Sequence, residues 1–295
     1  MRFKFVWQLL LCVWFGLLSF SATANVFFKV THQKHDQTAY VLGTMHLLCK
    51  DDFVMPESVY HALANSEQLI VEVDLTNSNE LAAARSAMFQ QPSNYLQLHL
   101  NRRQYSQLEQ QTQQQLGRPL NSLAPLRPLI ISSLFLAHYL PCASETFSVD
   151  EAVIQHMARN KKLVVGLESA KWQLELFDQI DLSEQVSALY ELVTEKNVAQ
   201  QELVNMANAY ISGNGEKLHE IMVAQDDFLG AAALFLDQRN KTWAEKLPKL
   251  FANKSSFVAV GAGHLYGDQG LLRLLIAQGY EITPIPVSFA AVESY

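Results

Sequence analysis

Two histidines stand where chemistry is easily built. Residues 40–46 read Tyr-Val-Leu-Gly-Thr-Met-His, an apolar run ending in Gly-x-x-His. Residues 257–264 read Phe-Val-Ala-Val-Gly-Ala-Gly-His and repeat the pattern near the other end. Each copy puts an imidazole, His46 or His264, just past a strand's C-terminal end, the edge of an open α/β sheet where ligands bind. Two carboxylates have comparable settings. Glu72 lies in the apolar stretch Leu69–Leu75, and Glu168 directly follows the stretch Lys162–Leu167. A buried carboxylate is costly unless it is paired or coordinates a cation. His46, His264 and Glu72 together offer a nitrogen–oxygen donor set for a divalent cation, which would polarise a carbonyl and activate water. Without a metal, the same set would run general-base hydrolysis, with a carboxylate orienting the histidine that takes the proton. Arg239, opening a helix before the second motif, would bind a substrate carboxylate or steady a developing oxyanion. Plainer readings stand beside these. A lone Gly-x-x-His is a turn with a satisfied histidine, Glu72 shares a solvated strand face with Asp74, Glu168 caps the next helix, and Arg239 is a surface cation.

The elements that must position these groups follow from periodicity and breakers. Asn25–Val30 and Thr38–Leu42 form a hairpin around a polar turn, and Gly43 ends its second strand. A helix runs from Pro56 to about Ser66. Leu69–Leu75 is a strand whose alternation puts Glu72 and Asp74 on one face. Helices cover Asn79–Gln90, Asn101–Leu116 and the apolar Leu123–Leu140. Ser148 and Glu151 form a capping box that opens a helix to about Arg159. After the strand Lys162–Leu167, helices fill Ala170–Gln179, Ser183–Glu195, Val198–Ile211, Glu216–Gln225 and Arg239–Leu247, the last stopped by Pro248. Phe257–Val260 is a strand, Asp268 caps a helix to about Gln278, and Tyr280–Val287 is an edge strand marked by Pro284 and Pro286. The two ends match as strand, Gly-x-x-His, helix, strand. The fold expected is α/β, with pseudo-duplicated halves forming one sheet and a long helical insert at about residues 79–252. No linker composition divides residues 25–295, so they read as one domain.

The chain has 295 residues, is about half apolar and carries a formal charge of -7, which argues against nucleic-acid backbones as partners. It has no P-loop, no complete G-x-G-x-x-G, no H-E-x-x-H and no G-x-S-x-G. Residues 1–24 have the layout of a signal peptide: Arg2 and Lys4, the apolar run Phe5–Phe20, then Ala22-x-Ala24 before a cleavage point at Asn25. An uncleaved anchor is the rival. The protein is therefore expected to be exported, periplasmic or secreted, and to meet a membrane only through that segment. Cys12 lies inside the apolar run. Cys49 and Cys142 remain after cleavage, and an exported chain permits them to form a disulfide that would clamp the loop carrying His46. Two free thiols, or Cys49 as a metal ligand, are the alternatives. The other histidines lack ligand spacing.

These residues resemble the TraB/GumN family, which is related to the Tiki metalloproteases. The resemblance rests on Leu42-Gly43-Thr44-Met45-His46, Val71-Glu72-Val73-Asp74-Leu75, Val165-Gly166-Leu167-Glu168, Arg239-Asn240 and the run from Val260 to Gly267. It implies an α/β fold with a helical insert and a metal-dependent, peptidase-like hydrolase acting on a peptide or small amide. On that analogy His46, His264 and Glu72 bind a divalent metal (manganese, cobalt or zinc), while Glu72, Glu168 and Arg239 are the catalytic candidates. A metal-free histidine-base hydrolase and a non-catalytic protein that binds a peptide or small ligand are the alternatives. The partner implied is a peptide or small-molecule substrate.

Overall fold

The computed structural model describes residues 25–142, 145–224 and 233–290, so the signal segment lies outside the described residues. The described residues form eight strands: β1 Phe27–His32, β2 His35–Thr44, β3 Leu48–Cys49, β4 Gln68–Val71, β5 Thr146–Phe147, β6 Leu163–Gly166, β7 Ser256–Gly261 and β8 Glu281–Pro284. The helices are α1 Glu57–Asn65, α2 Ser78–Ala87, α3 Tyr95–His99, α4 Arg102–Leu116, α5 Leu120–Leu123, α6 Pro128–Tyr139 and α7 Val149–Arg159. They continue as α8 Ala170–Glu175, α9 Leu182–Thr194, α10 Lys196–Ile211, α11 Gly215–Ala224, α12 Gln238–Phe251 and α13 Leu271–Ala277. None of the described helices is long and apolar enough to cross a membrane.

Six strands form one mixed sheet in the order β6-β4-β7-β2-β1-β8. β6, β4, β7 and β2 pair in parallel, and β1 is antiparallel to both β2 and β8. The expected α/β fold is present, and the matching of its two ends is visible in the connections. The chain leaves β2, passes through α1 and returns as β4 on one side. It leaves β7, passes through α13 and returns as β8 on the other. α1 packs with Leu42, Leu69, Phe257 and Ala259 on one face of the sheet. α13 packs with Val41, Ile70, Val258 and Val260 on the opposite face. Covering both faces is what a parallel sheet requires. The two crossovers start from the adjacent pair β2/β7 and run in opposite directions across the sheet, each passing the other's strand, so the Gly-x-x-His ends lie side by side at the C-terminal edge of the parallel strands.

The helical insert has its own core, in which Tyr95, Leu108, Ile131, Phe135, Tyr139, Leu189 and Leu203 come together. Cys49 and Cys142 are disulfide-bonded and tie this subdomain to β3.

Several boundaries differ from the sequence reading for local reasons. The hairpin turn is only Gln33-Lys34, because His32 pairs with His35 and its Nδ1 accepts the Lys34 N–H at 3.0 Å. Gly43 does not end β2. The strand runs on to Thr44, and a Cβ at Gly43 would stand 2.7 Å from Leu265 Cδ1 and 2.9 Å from Ala262 Cα, so only glycine fits against the second motif. β4 stops at Val71, so Glu72 and Asp74 do not share a strand face. The run Leu123–Leu140 breaks into α5 and α6 around Pro125 and Pro128. Pro248 lies inside α12 rather than ending it. Lacking an N–H, it leaves the Ala244 carbonyl without its helical donor, and Gln278 Nε2 donates there at 3.0 Å. Asp268 does not cap α13, which starts after Gly270, and its carboxylate pairs instead with Arg273 at the surface.

Candidate functional site

β2 and β7 run in register, Thr44 beside Gly261, so the two Gly-x-x-His segments leave the sheet side by side. Glu72 follows β4, on the far side of β7, and Glu168 follows the end of β6. Arg239 arrives from the first turn of α12. All five sequence candidates therefore gather at one sheet edge.

Arg239 is the centre of the buried part and only 6 % exposed. Its Nε donates to Glu168 at 3.0 Å, and its Nη2 donates to Glu72 and, at 2.6 Å, to Glu168. Its Nη1 donates to the Phe235 carbonyl and to His264 Nε2, both at 3.1 Å. These contacts engage all five guanidinium N–H groups, the full capacity of the side chain. Arg239 is thus an internal clamp, and the plainer reading of a surface cation does not hold. Trp243, one turn further along α12, lies under it. The indole ring is 4.7 Å from the guanidinium carbon and 4.3 Å from the His264 ring, and its N–H donates to Glu168 at 3.0 Å.

Glu72 accepts from three donors: Arg239, the Gly261 backbone N–H at 2.7 Å and Gln173 Nε2 at 2.9 Å. Burial by itself would raise its pKa. The neighbouring His264 and Arg239, with His46 and the Gly261 hydrogen bond, overcome this and hold it at about 2. Glu168 goes the other way, since burial outweighs Arg239 and lifts its carboxyl above the ordinary value. His264 is buried, with Nδ1 2.8 Å from Asn240 Oδ1 and Nε2 facing Arg239. Nδ1 therefore carries the hydrogen and Nε2 is the acceptor. Burial is the main cause that lowers its pKa to about 3, so it is neutral. A Cβ at Gly263 would stand 2.5 Å from Met222 Cε, so the residue that approaches closely is a methionine of α11.

The second part of the site is open. His46 is 69 % exposed, and its Nδ1 lies 2.7 Å from Asp150 Oδ2. Thr44 Oγ1 donates to the other oxygen, Asp150 Oδ1. The charge and hydrogen bond of Asp150 raise the His46 pKa to about 9, against a smaller lowering by burial. Asp150 is the second residue of α7. There Ser148 accepts the Glu151 N–H at 3.3 Å, but the Glu151 side chain turns to Gln155 instead, so only half of the expected capping box forms. The short β3/β5 ribbon brings the two partners together: Leu48 pairs with Phe147, Cys49 pairs with Thr146, and the Val149 N–H reaches the Met45 carbonyl at 3.1 Å. A cleft of about 440 Å³ opens over His46, Glu72, Asp150 and Gln173.

Asp150, Gln173, Trp243 and Asn240 were not singled out as site residues from sequence. Trp243 had a readable signal, since it lies four residues after Arg239 and so on the same helix face. Gln173 had none.

The metal implied by the resemblance would be held by His46, Glu72 and His264. As arranged, these donors fit a guanidinium rather than a divalent cation. The acceptor nitrogen of His264 and one oxygen of Glu72 face Arg239, and the other Glu72 oxygen faces the Gly261 N–H. Among the described residues, no three His, Cys, Asp or Glu side chains are grouped to hold a metal.

The buried pair makes stability depend on pH. Folded His264 binds its proton at about 3 rather than 6.5, and folded Glu72 at about 2 rather than 4.5. The unfolded chain therefore takes up protons first as the solution is acidified. The stabilisation is fully present above about pH 6.5 and is lost on descent, first through His264 and below about 4.5 through Glu72 as well. Urea midpoints should fall continuously over that range, and midpoints that stay flat from neutrality to pH 4 would contradict this electrostatic assignment.

The chain is 24 % identical over 241 residues to the uncharacterized protein YbaP of Shigella flexneri, covering 80 % of this chain and 87 % of that one. It is 24 % identical over 240 residues to YbaP of Escherichia coli K12, with the same coverage. No solved structure matches. The model of the TraB/PrgY/gumN family matches residues 26–284, a span that contains both Gly-x-x-His strands, both glutamates and Arg239, and the chain belongs to that family.

Proposed function

We propose that this protein is an exported hydrolase that cleaves a peptide or small amide, with His46 as the group that moves the proton. One observation carries the reading: His46 is held by Asp150 through Nδ1 at 2.7 Å, beside a cleft, while the other polar groups of the site are engaged with one another. A carboxylate on Nδ1 fixes the ring and the tautomer and steadies the imidazolium, leaving Nε2 to serve the substrate. In the reaction, neutral His46 takes a proton from water as the water oxygen attacks the carbonyl. The imidazolium then returns that proton to the leaving amine. Gln173 spends one amide hydrogen on Glu72, and its second is placed to meet the developing oxyanion. Glu72, Arg239, Glu168 and His264 form the rigid floor. The Cys49–Cys142 bond supports an oxidising compartment, in keeping with export.

The metal-dependent reading uses the same residues but requires Arg239 to withdraw from His264 and Glu72. A screen of peptide amides between pH 6 and 10, on metal-depleted protein and on protein reloaded with manganese, cobalt or zinc, separates the readings. Because the His46 value is about 9, kcat/KM of the metal-depleted protein should rise about tenfold per pH unit from neutrality and level off near pH 9. Activity that vanishes on depletion and returns with stoichiometric manganese would replace the histidine-base reading with the metal reading. Ligand binding without turnover under any condition would make the protein a binding protein.

A further inference from the structure

The cleft over His46 mixes aliphatic and acidic lining. Val73 and Leu75, from the segment after β4, and Ile154, from α7, supply the aliphatic part, and Leu75 is 48 % exposed. The same helix brings Asp150 and Glu151, and among the described residues no lysine or arginine lines the cleft. The charges there are unevenly matched. Asp150 is paired with His46, and Glu72 with Arg239. Among the described residues, Glu151 accepts only an uncharged amide, that of Gln155, at 2.7 Å. The N-terminus of α7 contributes about half a positive charge, which Glu151 outweighs even when protonated His46 is paired with Asp150.

Position narrows what would answer that charge. Glu151 lines the same cleft as His46 and Asp150. A cation that meets Glu151 therefore lies in the cleft that would hold the reacting carbonyl. The α-amino group is the cation that a peptide carries nearest to a carbonyl, on the very next carbon. The side chain on that carbon would then meet the aliphatic lining. We propose that the cleft selects substrates with a free α-amine and an aliphatic side chain on the residue whose carbonyl is attacked, the amino-terminal residue of a peptide or an amino-acid amide. This rests on the hydrolase reading for the bond that is cut, but the binding preference stands on the cleft alone.

The test uses the mature protein at pH 7 and four probes: L-leucinamide, N-acetyl-L-leucinamide, glycinamide and N-acetyl-L-leucine. Binding is read by NMR titration and ammonia release in parallel. Leucinamide should bind best, with blocking of the amine and loss of the isobutyl group each weakening it about tenfold. The N-acetylated anion should bind worst. Glu151→Gln should erase the preference for a free amine and keep that for leucine over glycinamide. Leu75→Asn, at a half-exposed position where folding is not at stake, should do the reverse. Equal affinity for leucinamide and its N-acetyl form, or a Glu151→Gln variant that keeps the preference, overturns the proposal. The expected binding pattern without ammonia release would sink the hydrolase reading and leave the ligand preference standing.

Discussion

Replacing His46 by alanine should lower kcat/KM by about 10²- to 10⁴-fold, the usual contribution of a positioned acid–base group. It should leave thermal stability nearly unchanged, because the ring is largely exposed and its ion pair is screened by solvent. The outcome separates a chemical role from a structural one, since a large drop in melting temperature would show that His46 holds the loop in place. Asp150→Asn provides the second arm. It keeps the shape of the side chain but removes the charge that raises His46 to about 9. The alkaline limb of the rate profile should then move down toward the ordinary histidine range. A limb that stays near 9 in the asparagine variant would show that the titrating group is not His46.

The largest expected stability effect belongs to Arg239. Leucine in its place would leave Glu72 and Glu168 facing each other in a buried site without their cation. Breaking a buried pair in this way costs about 3–5 kcal/mol, or a fall of about 10 °C in melting temperature for a chain of this size. Arg239→Lys should fall between, because an ammonium keeps the charge but cannot supply five donors in a fixed fork. Adding Glu72→Gln and Glu168→Gln to the leucine variant should recover part of the loss by removing the uncompensated charges. If the single leucine variant unfolds at the wild-type urea midpoint, the guanidinium is not what holds this cluster together.

Much of this arrangement was legible in the sequence, and the misses share a cause. The strands were readable because runs such as Phe257–Val260 and Leu69–Val71 are continuously apolar, as strands covered on both faces must be. The glycine turns placed both histidines correctly at one edge. Local pattern could not tell which histidine would be buried, since that depends on α12 and α11 closing over His264 and leaving His46 open. Glu72 seemed to alternate with Asp74 because periodicity extends a strand until a breaker, whereas pairing with β6 and β7 stops it at Val71. Pro248 seemed to stop α12 because its rescue comes from Gln278, thirty residues away in sequence. Asp150 lay inside the capping box of Ser148 and Glu151 with no role of its own, and its contact with His46 depends on a two-residue ribbon too short to announce itself.

The place of β7 in the sheet sets when this site can exist during synthesis. β7 lies between β2 and β4, yet its residues, from Ser256 on, leave the ribosome long after Thr44 and Val71, where those strands end. Chains fold from the N-terminus as they emerge, so β2 and β4 must wait with a gap between them while the helical insert is made. Glu72 meanwhile has neither Arg239 nor the Gly261 N–H, and His46 has no neighbouring motif to form an edge with. The nascent chain therefore carries its own interlock, for nothing resembling the finished site is present until the last quarter of the polypeptide has been delivered.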